Sequence, residues 1–341
     1  MLAVGLQGSP RKAGNNNHTL GLFLKRLQHK GFQTVTLPIP QMKFAFCIGC
    51  GSCEKSGWCI FDDDYALKIA PMLRQAEIIV MASPVYFYGP SAQLKAAMDR
   101  GQMFWSRKYR LKLNDPLKKR RRGYILSSAA TSGDDLFTSF VLNARYFFDA
   151  IDTSYAGALT FRRAEGKGVL AGRSDTEKRV QAAADLAAAP LYPPQQRILF
   201  VCRDGAVKSR IAWACATAFS PGTTWVSHAG TSPEAHLKAR CDTWMELRKS
   251  DLRYIPVIHV NECLDTFSPD LIVDMDGSLD ENPDVTADIR WDLPSAPPNN
   301  DDEAKALIRH IESRVKKLLV SLKGNGVSQN SNETNISTDT T

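Results

Sequence analysis

Short apolar runs, each followed by a polar loop and then by apolar residues at helical spacing, recur along this chain and restrict it to alternating strands and helices. The first is Leu2-Ala3-Val4-Gly5-Leu6, which leads through a loop from Gly8 to Gly14 into Leu20, Phe23, Leu24 and Leu27. Further strands are expected at 34–37, 78–82, 124–128 and near 154–159, with helices over 64–75, 91–104, 134–149 and 175–188. Such alternation argues for an α/β fold with a mostly parallel sheet covered on both faces.

The pattern breaks once, at Ala187-Ala188-Ala189-Pro190-Leu191-Tyr192-Pro193-Pro194-Gln195-Gln196, where three prolines stiffen the chain. It restarts at Ile198-Leu199-Phe200-Val201, with strands expected at 224–227, 257–260 and 271–273 and a last helix over 302–319. At 341 residues the chain can bury two cores. Residues 1–189 and 197–322 are therefore expected as a larger and a smaller α/β domain, with 190–196 as linker. Residues 323–341, nearly devoid of apolar side chains, are expected as a disordered tail.

A hydrophobic fraction of 43% and a charged fraction of 23% are those of an ordinary globular protein. No apolar run approaches the ~18 residues of a membrane span, and nothing in the first residues resembles a secretory signal, so a cytoplasmic protein without a membrane partner is expected. The net charge of +7 favours anionic partners without choosing among them. Lys118-Lys119-Arg120-Arg121-Arg122 reads as a solvated strand entrance, with a dinucleotide phosphate or an acidic redox partner as alternative contacts. It lacks the interleaved aromatics of a nucleic-acid surface, and nucleic acid is disfavoured as a partner.

Ser9, Arg11, Asn15, Asn17 and Thr19 lie where a strand meets a helix, and the helix's free N–H groups and dipole favour an anion there. Plain helix capping is the alternative. The G-x-G-x-x-G fingerprint is absent, which disfavours a nicotinamide-binding Rossmann unit. Residues 83–89 and 127–133 follow apolar strands, at the sheet edge where open α/β folds bind ligands. Tyr86, Phe87 and Tyr88 suit stacking on a planar cofactor, ordinary packing or a subunit contact.

Cys47, Cys50, Cys53 and Cys59 form C-x2-C-x2-C-x5-C within thirteen residues. Steps of three suit successive corners of a [4Fe–4S] cluster, with structural zinc or redox-active thiols as alternatives. Asp62, Asp63 and Asp64 read as a helix cap.

Gly8-Ser9-Pro10-Arg11-Lys12-x-Gly-Asn, Ala82-Ser83-Pro84-Val85-Tyr86-Phe87-Tyr88-Gly89 and Leu94-Lys95-Ala96-Ala97-Met98-Asp99-Arg100, in this order, resemble the NAD(P)H-dependent FMN reductases, a flavodoxin-like family. The cysteine spacing is similar to that of its iron–sulfur flavoprotein branch. The resemblance covers about the first 190 residues. It implies FMN, with its phosphate on Ser9, Arg11, Lys12, Asn15, Asn17 and Thr19, and its ring beside Pro84, Val85, Tyr86, Phe87, Tyr88 and Gly89. The small residues of 127–133, with Ser127, Thr131 and Gly133, suit the approach of backbone amides to a flavin. It also implies a [4Fe–4S] cluster on Cys47, Cys50, Cys53 and Cys59, an NAD(P)H or ferredoxin-like electron donor, an unidentified acceptor, and a homodimer or homotetramer.

The second domain opens with Cys202-Arg203-Asp204-Gly205-Ala206-Val207-Lys208-Ser209, which resembles the loop of low-molecular-weight tyrosine phosphatases and arsenate reductases. Val226-Ser227-His228-Ala229-Gly230-Thr231 and Arg290-Trp291-Asp292-Leu293-Pro294 echo later segments of that family. The resemblance implies an oxyanion loop of Cys202, Gly205, Ala206, Lys208 and Ser209, with Cys202 as nucleophile. Lys208 stands at the arginine position, Asp204 puts a negative charge in the cradle, and Ser295-Ala296 replaces the Asp-Pro general acid. The expected function is an iron–sulfur flavoprotein oxidoreductase. A flavin-coupled arsenate or thiol reductase or phosphatase using Cys202 is one alternative, and a non-catalytic redox sensor or assembly protein is the other.

Overall fold

The computed structural model describes residues 1–282 and 284–327. In the first domain, strands β1 (Leu2–Gln7), β2 (Gln33–Pro38), β3 (Ile78–Pro84), β4 (Arg122–Ser128) and β5 (Ser154–Phe161) form one parallel sheet in the order β2-β1-β3-β4-β5. That order is the flavodoxin-like one, with its switch point between β1 and β3. Helices α1 (Asn15–Gln28) and α7 (Thr176–Ala188) cover one face. The short α2 (Ser52–Ser56) belongs to the cysteine loop, and α3 (Ala70–Gln75), α4 (Ala92–Arg100), α5 (Gln102–Trp105) and α6 (Thr138–Ala150) cover the other face. Side chains alternate across the sheet: Ile78, Val80 and Ala82 join the α1/α7 core, and Ile79 and Met81 the opposite one. Both faces are buried, which is why these strands read as continuous apolar runs.

Strands β6 (Gln196–Cys202), β7 (Thr224–Gly230), β8 (Leu271–Asp274) and β9 (Ile289–Arg290) form a second parallel sheet in the order β7-β6-β8-β9. Helices α8 (Lys208–Phe219), α9 (Lys238–Leu247), α10 (Val260–Leu264) and α11 (Asp301–Val327) complete the domain. The strand expected over 257–260 is reduced to a single bridge from Gly230 to His259, because the chain turns into α10 at Val260. Helix α11 runs through 323–327, into the segment expected to be disordered, and the rest of that segment lies outside the described residues.

The junction is a core rather than a tether. Leu191, in the expected linker, is fully buried, and its carbonyl accepts from Trp225 Nε1 at 2.8 Å. Trp225 meets Phe32 edge-on at 5.4 Å, and Leu199 and Val201 of β6 share a core with α1 and α7. The basic run is solvated only at Lys118 and Lys119, and the expected strand entrance is buried at Arg120 and Arg121. Arg120 is buried and donates to the carbonyls of Thr217 and Thr224 and to Ser220 Oγ in the second domain. Arg121 is fully buried and donates to Asp115 and to the carbonyls of Ala76, Ile151 and Arg74. Neither guanidinium is left for a nucleotide, a partner protein or a nucleic acid.

These charges belong to a buried network. Arg74 pairs with Asp115 at 2.8 Å and, across the junction, with Asp251 at 3.0 Å, and Arg107 reaches Asp251 at 2.7 Å. Burial alone would raise the Asp251 carboxyl, but Arg74 and Arg107 override it and hold its pKa at about 2. A depressed carboxylate contributes stability that is complete above its unfolded value of ~3.9 and disappears as pH falls through the folded value. Asp251→Asn is therefore expected to cost ~3–5 kcal/mol at neutral pH by urea unfolding, since two buried guanidinium groups lose their charged partner. The gap to wild type should narrow as pH falls from about 4 toward 2.

Candidate functional site

Three loops meet at the C-terminal edge of the first sheet, after β1, β3 and β4, and hydrogen bonds lace them together. Gly8 N donates to Ala82 O at 2.8 Å, Ser91 Oγ to Gly8 O at 2.5 Å, Val85 N to Ser128 O at 3.0 Å and Ser127 Oγ to Ser83 O at 2.8 Å. A Cβ on Gly8 would lie 2.9 Å from Leu94 Cβ, so only glycine lets the first loop close on α4.

In the first loop Arg11 and Lys12 are exposed, and Ser9 Oγ accepts from Arg11 N at 3.3 Å. The backbone amides of Lys12, Ala13, Asn15 and Asn16 find no acceptor among the described residues. They form an open cradle at the start of a fourteen-residue helix. Other side chains expected on the phosphate turn inward. Asn15 donates to the carbonyls of Ala164 and Gly166 and accepts from Leu170 N, Asn17 accepts from Gln7 Nε2, and Thr19 is buried and bonds back to Asn16 O. The sequence pattern missed Asn16: its Nδ2 donates to Ser128 Oγ at 2.9 Å, while its buried Oδ1 has no partner.

The second loop is an exposed, strained turn. Tyr86 and Gly89 exchange backbone hydrogen bonds of 2.9 and 3.0 Å across Phe87 and Tyr88, whose φ values are +46° and +63°. Each such residue costs ~1–2 kcal/mol when it carries a side chain. The strain holds three aromatic rings outward, with Tyr86 and Tyr88 exposed and Phe87 fully so. Pro84 ends β3, and Val85 packs on Ala129, Leu136 and Phe137. In the third loop Ser127 is buried as a strand tie, while exposed Thr131 and Gly133 use their carbonyls on Arg163 N and Arg162 Nε.

Cys47, Cys50, Cys53 and Cys59 line one cavity of about 430 Å³, together with Phe61, Arg100 and Met103. Cys47 and Cys50 are exposed, and Cys53 and Cys59 half-buried. Among the described residues no three His, Cys, Asp or Glu side chains converge as a metal-holding group, so the four thiols border the cavity without closing into a ligand set. The surroundings suit an anionic centre. Arg100 is buried against the cavity with its Nε unpartnered, its other nitrogens held by Asp63 at 2.8 and 3.1 Å, and Ser106 Oγ donates to Cys53 Sγ at 3.5 Å. Asp63 does cap the following turn, through Tyr65 N, and Asp64 takes Lys43 N, so these aspartates also pin the approach to the cysteines.

The second domain's loop is occupied by its own side chain. Asp204 Oδ1 accepts from Ala206 N and Val207 N, both at 2.7 Å, at the start of α8 where an oxyanion would sit. Lys208 is buried against Asp276 at 3.0 Å and Asp204 at 3.6 Å, and Gly205 lies backbone to backbone with Gly230. Cys202 is fully buried, touching Ser209 Oγ at 3.3 Å, and burial together with the Asp204 charge pushes its thiol up to about 12. An attacking cysteine needs a depressed pKa and access, so the expectation of a Cys202 nucleophile with an open oxyanion loop is corrected. Cys215, Cys241 and Cys263 are buried too, which leaves no accessible resolving thiol among the described residues of the second domain. A thiol reagent applied to folded, cluster-free protein at neutral pH is expected to modify Cys47 and Cys50 first and to reach Cys202, Cys215, Cys241 and Cys263 only after denaturation. Mass spectrometry of peptides checks this, and rapid native labelling of Cys202 would contradict it.

Residues 1–134 match a family model described as NADPH-dependent FMN reductase. An iron-sulfur flavoprotein of Archaeoglobus fulgidus is 38% identical over 100 residues, which is 29% of this chain and 45% of that protein. One from Methanosarcina thermophila is 37% identical over 112 residues, 33% of this chain and 58% of that protein. The chain thus spans about half the length of these curated relatives. Among solved structures, a flavone reductase aligns over 55% of this chain and 62% of its own with a TM-score of 0.43 and 15% identity. No helix among the described residues is long and apolar enough to cross a membrane. The first domain is thus similar in sequence to NADPH-dependent FMN reductases and iron-sulfur flavoproteins, and its strand order is the flavodoxin-like one.

Proposed function

We propose that this protein is an FMN-dependent oxidoreductase that takes electrons from NAD(P)H or a ferredoxin-like donor and passes them to an acceptor through FMN and a [4Fe–4S] cluster. The observation that carries the reading is the pairing, on one sheet edge, of an open amide cradle with a strained turn that presents aromatic rings to solvent. Strain of this kind is a pointer to function when nothing in the packing requires it. FMN supplies two-electron chemistry and the cluster single-electron chemistry.

The chain's own part is binding and positioning. Arg11, Lys12 and the amides at the start of α1 hold the phosphate, the buried Asn16 Oδ1 accepts a hydrogen bond from a hydroxyl of the ligand, and the turn from Tyr86 to Gly89 fixes the ring plane. Asn15, Asn17, Thr19 and Ser127 set the loops from behind. Cys47, Cys50, Cys53 and Cys59 hold the cluster, with the Arg100 cation beside it. No acid–base pair is required, since hydride transfer depends on stacking geometry and on polarity around the ring. The domains extend over 1–189 and from 197 through the last helix. A second subunit completes the flavin environment in a dimer or tetramer, and the second domain serves assembly, because its anion loop is closed by Asp204.

Anaerobically purified full-length protein is expected to carry about one FMN per chain. Its flavin absorbance should bleach on mixing with NADH, NADPH or reduced ferredoxin and return with an acceptor. Arg11→Ala should weaken FMN binding about tenfold or more, the loss of one charge-assisted contact. Full FMN occupancy with no reduction by any of the three donors would contradict the oxidoreductase reading and favour a sensor.

A further inference from the structure

Arg107 stands where the two domains and the cysteine loop meet. It lies in a π-helical turn, Ser106–Arg110, directly after α5, and is buried. Such turns are rare and concentrate at functional sites. One side of its guanidinium belongs to the second domain: Nε and Nη2 donate to the Asp251 carboxylate at 2.7 and 3.0 Å, and Nη2 to Glu246 Oε1 at 2.9 Å. The other side faces the loop. Nη1 lies 3.5 Å from the Gly57 carbonyl, and the guanidinium covers the Trp58 ring at 5.2 Å.

The second domain adds its own contacts to that ring. Arg253 covers Trp58 at 4.6 Å, and Tyr254 packs against it at 5.6 Å and against Phe104 at 6.0 Å. Gly57 has φ +73°, and a Cβ there would fall 2.7 Å from Arg107 Nη1, so the approach admits no other residue without displacement. Cys59 follows immediately. The limb of the loop that carries Cys47 and Cys50 is exposed, and its approach is held at Ala45 by Arg100 and Asp63 of the first domain.

We infer that the second domain is the anchor of the cysteine loop, with Arg107 the positioning residue that fixes Gly57 and Trp58 and so sets the place of Cys59. This rests on the reading that the four cysteines hold a cluster. It also gives a use to a domain whose anion loop is closed: its α9 end and the segment through Tyr254 replace part of the solvent that would otherwise surround the loop.

The test uses full-length protein. Arg107→Lys keeps a positive charge beside Asp251 but loses the planar fork and stacking face, and Arg253→Ala removes the second cation from Trp58, with its two bonds to Glu246, while leaving the Arg107–Asp251 pair in place. Iron loss to a chelator from the cluster-loaded variants should accelerate about tenfold or more, as when outer partners of a metal site are removed. In cluster-free protein, amide hydrogen exchange at residues 57–59 should accelerate in the same variants. Arg26→Gln, which breaks the remote surface pair with Asp185, should change neither. Unchanged iron loss and exchange in folded Arg107→Lys and Arg253→Ala would overturn the anchor. A wild type that holds no iron or sulfide would defeat the cluster reading instead, and the exchange measurement would still decide whether the second domain fixes the loop.

Discussion

Two aspartates, Asp115 and Asp251, buried among Arg74, Arg107 and Arg121, are the constraint on which the rest of the molecule depends. Charges out of water are tolerated only when paired in good geometry, and here the pairing spans three parts of the chain. Arg121 ties the entrance of β4 to the end of α3, Arg74 ties α3 to both aspartates, and Arg107 carries the connection to the cysteine loop. The network is specific where the apolar core is permissive. A core accepts many packings of similar volume, whereas bidentate guanidinium contacts fix orientation.

The two domains carry the same local device in opposite states. Each places backbone amides at the start of a helix that follows a parallel strand. In the first domain those amides are free and flanked by exposed Arg11 and Lys12. In the second, Asp204 already accepts from two of them and Lys208 is neutralised by Asp276 and Asp204. One edge is built to receive an anion, and the other has an anion built in. On the proposed reading, the difference puts ligand binding in the first domain and leaves the second as support.

The sheet of the first domain was legible from apolar runs because both of its faces are buried, and the four cysteines, close in sequence, border one cavity. Within the basic run, Arg120 and Arg121 were misread because local pattern reports charge, not partners: the groups that bury Arg120 lie about a hundred residues downstream. Asn15 was assigned to the ligand for the same reason, since it bonds to a segment about 150 residues away. The strain at Phe87 and Tyr88 had no sequence signal, because aromatic residues do not favour a positive φ. The closed loop of the second domain was partly legible. Asp204 and Lys208 stood out as departures, and the structure adds that the carboxylate occupies the cradle itself.

The central claim is that the first domain pairs a flavin with an iron–sulfur centre while the second holds the cysteine loop in place. Low-temperature electron paramagnetic resonance of anaerobically prepared, dithionite-reduced full-length protein, quantified beside its iron, labile sulfide and zinc, tests it most directly. The account predicts about four iron and four sulfide per chain with the signal of a reduced [4Fe–4S] cluster, lost in Cys59→Ser. Stoichiometric zinc without sulfide, or a cluster signal that survives in Cys59→Ser, would contradict it.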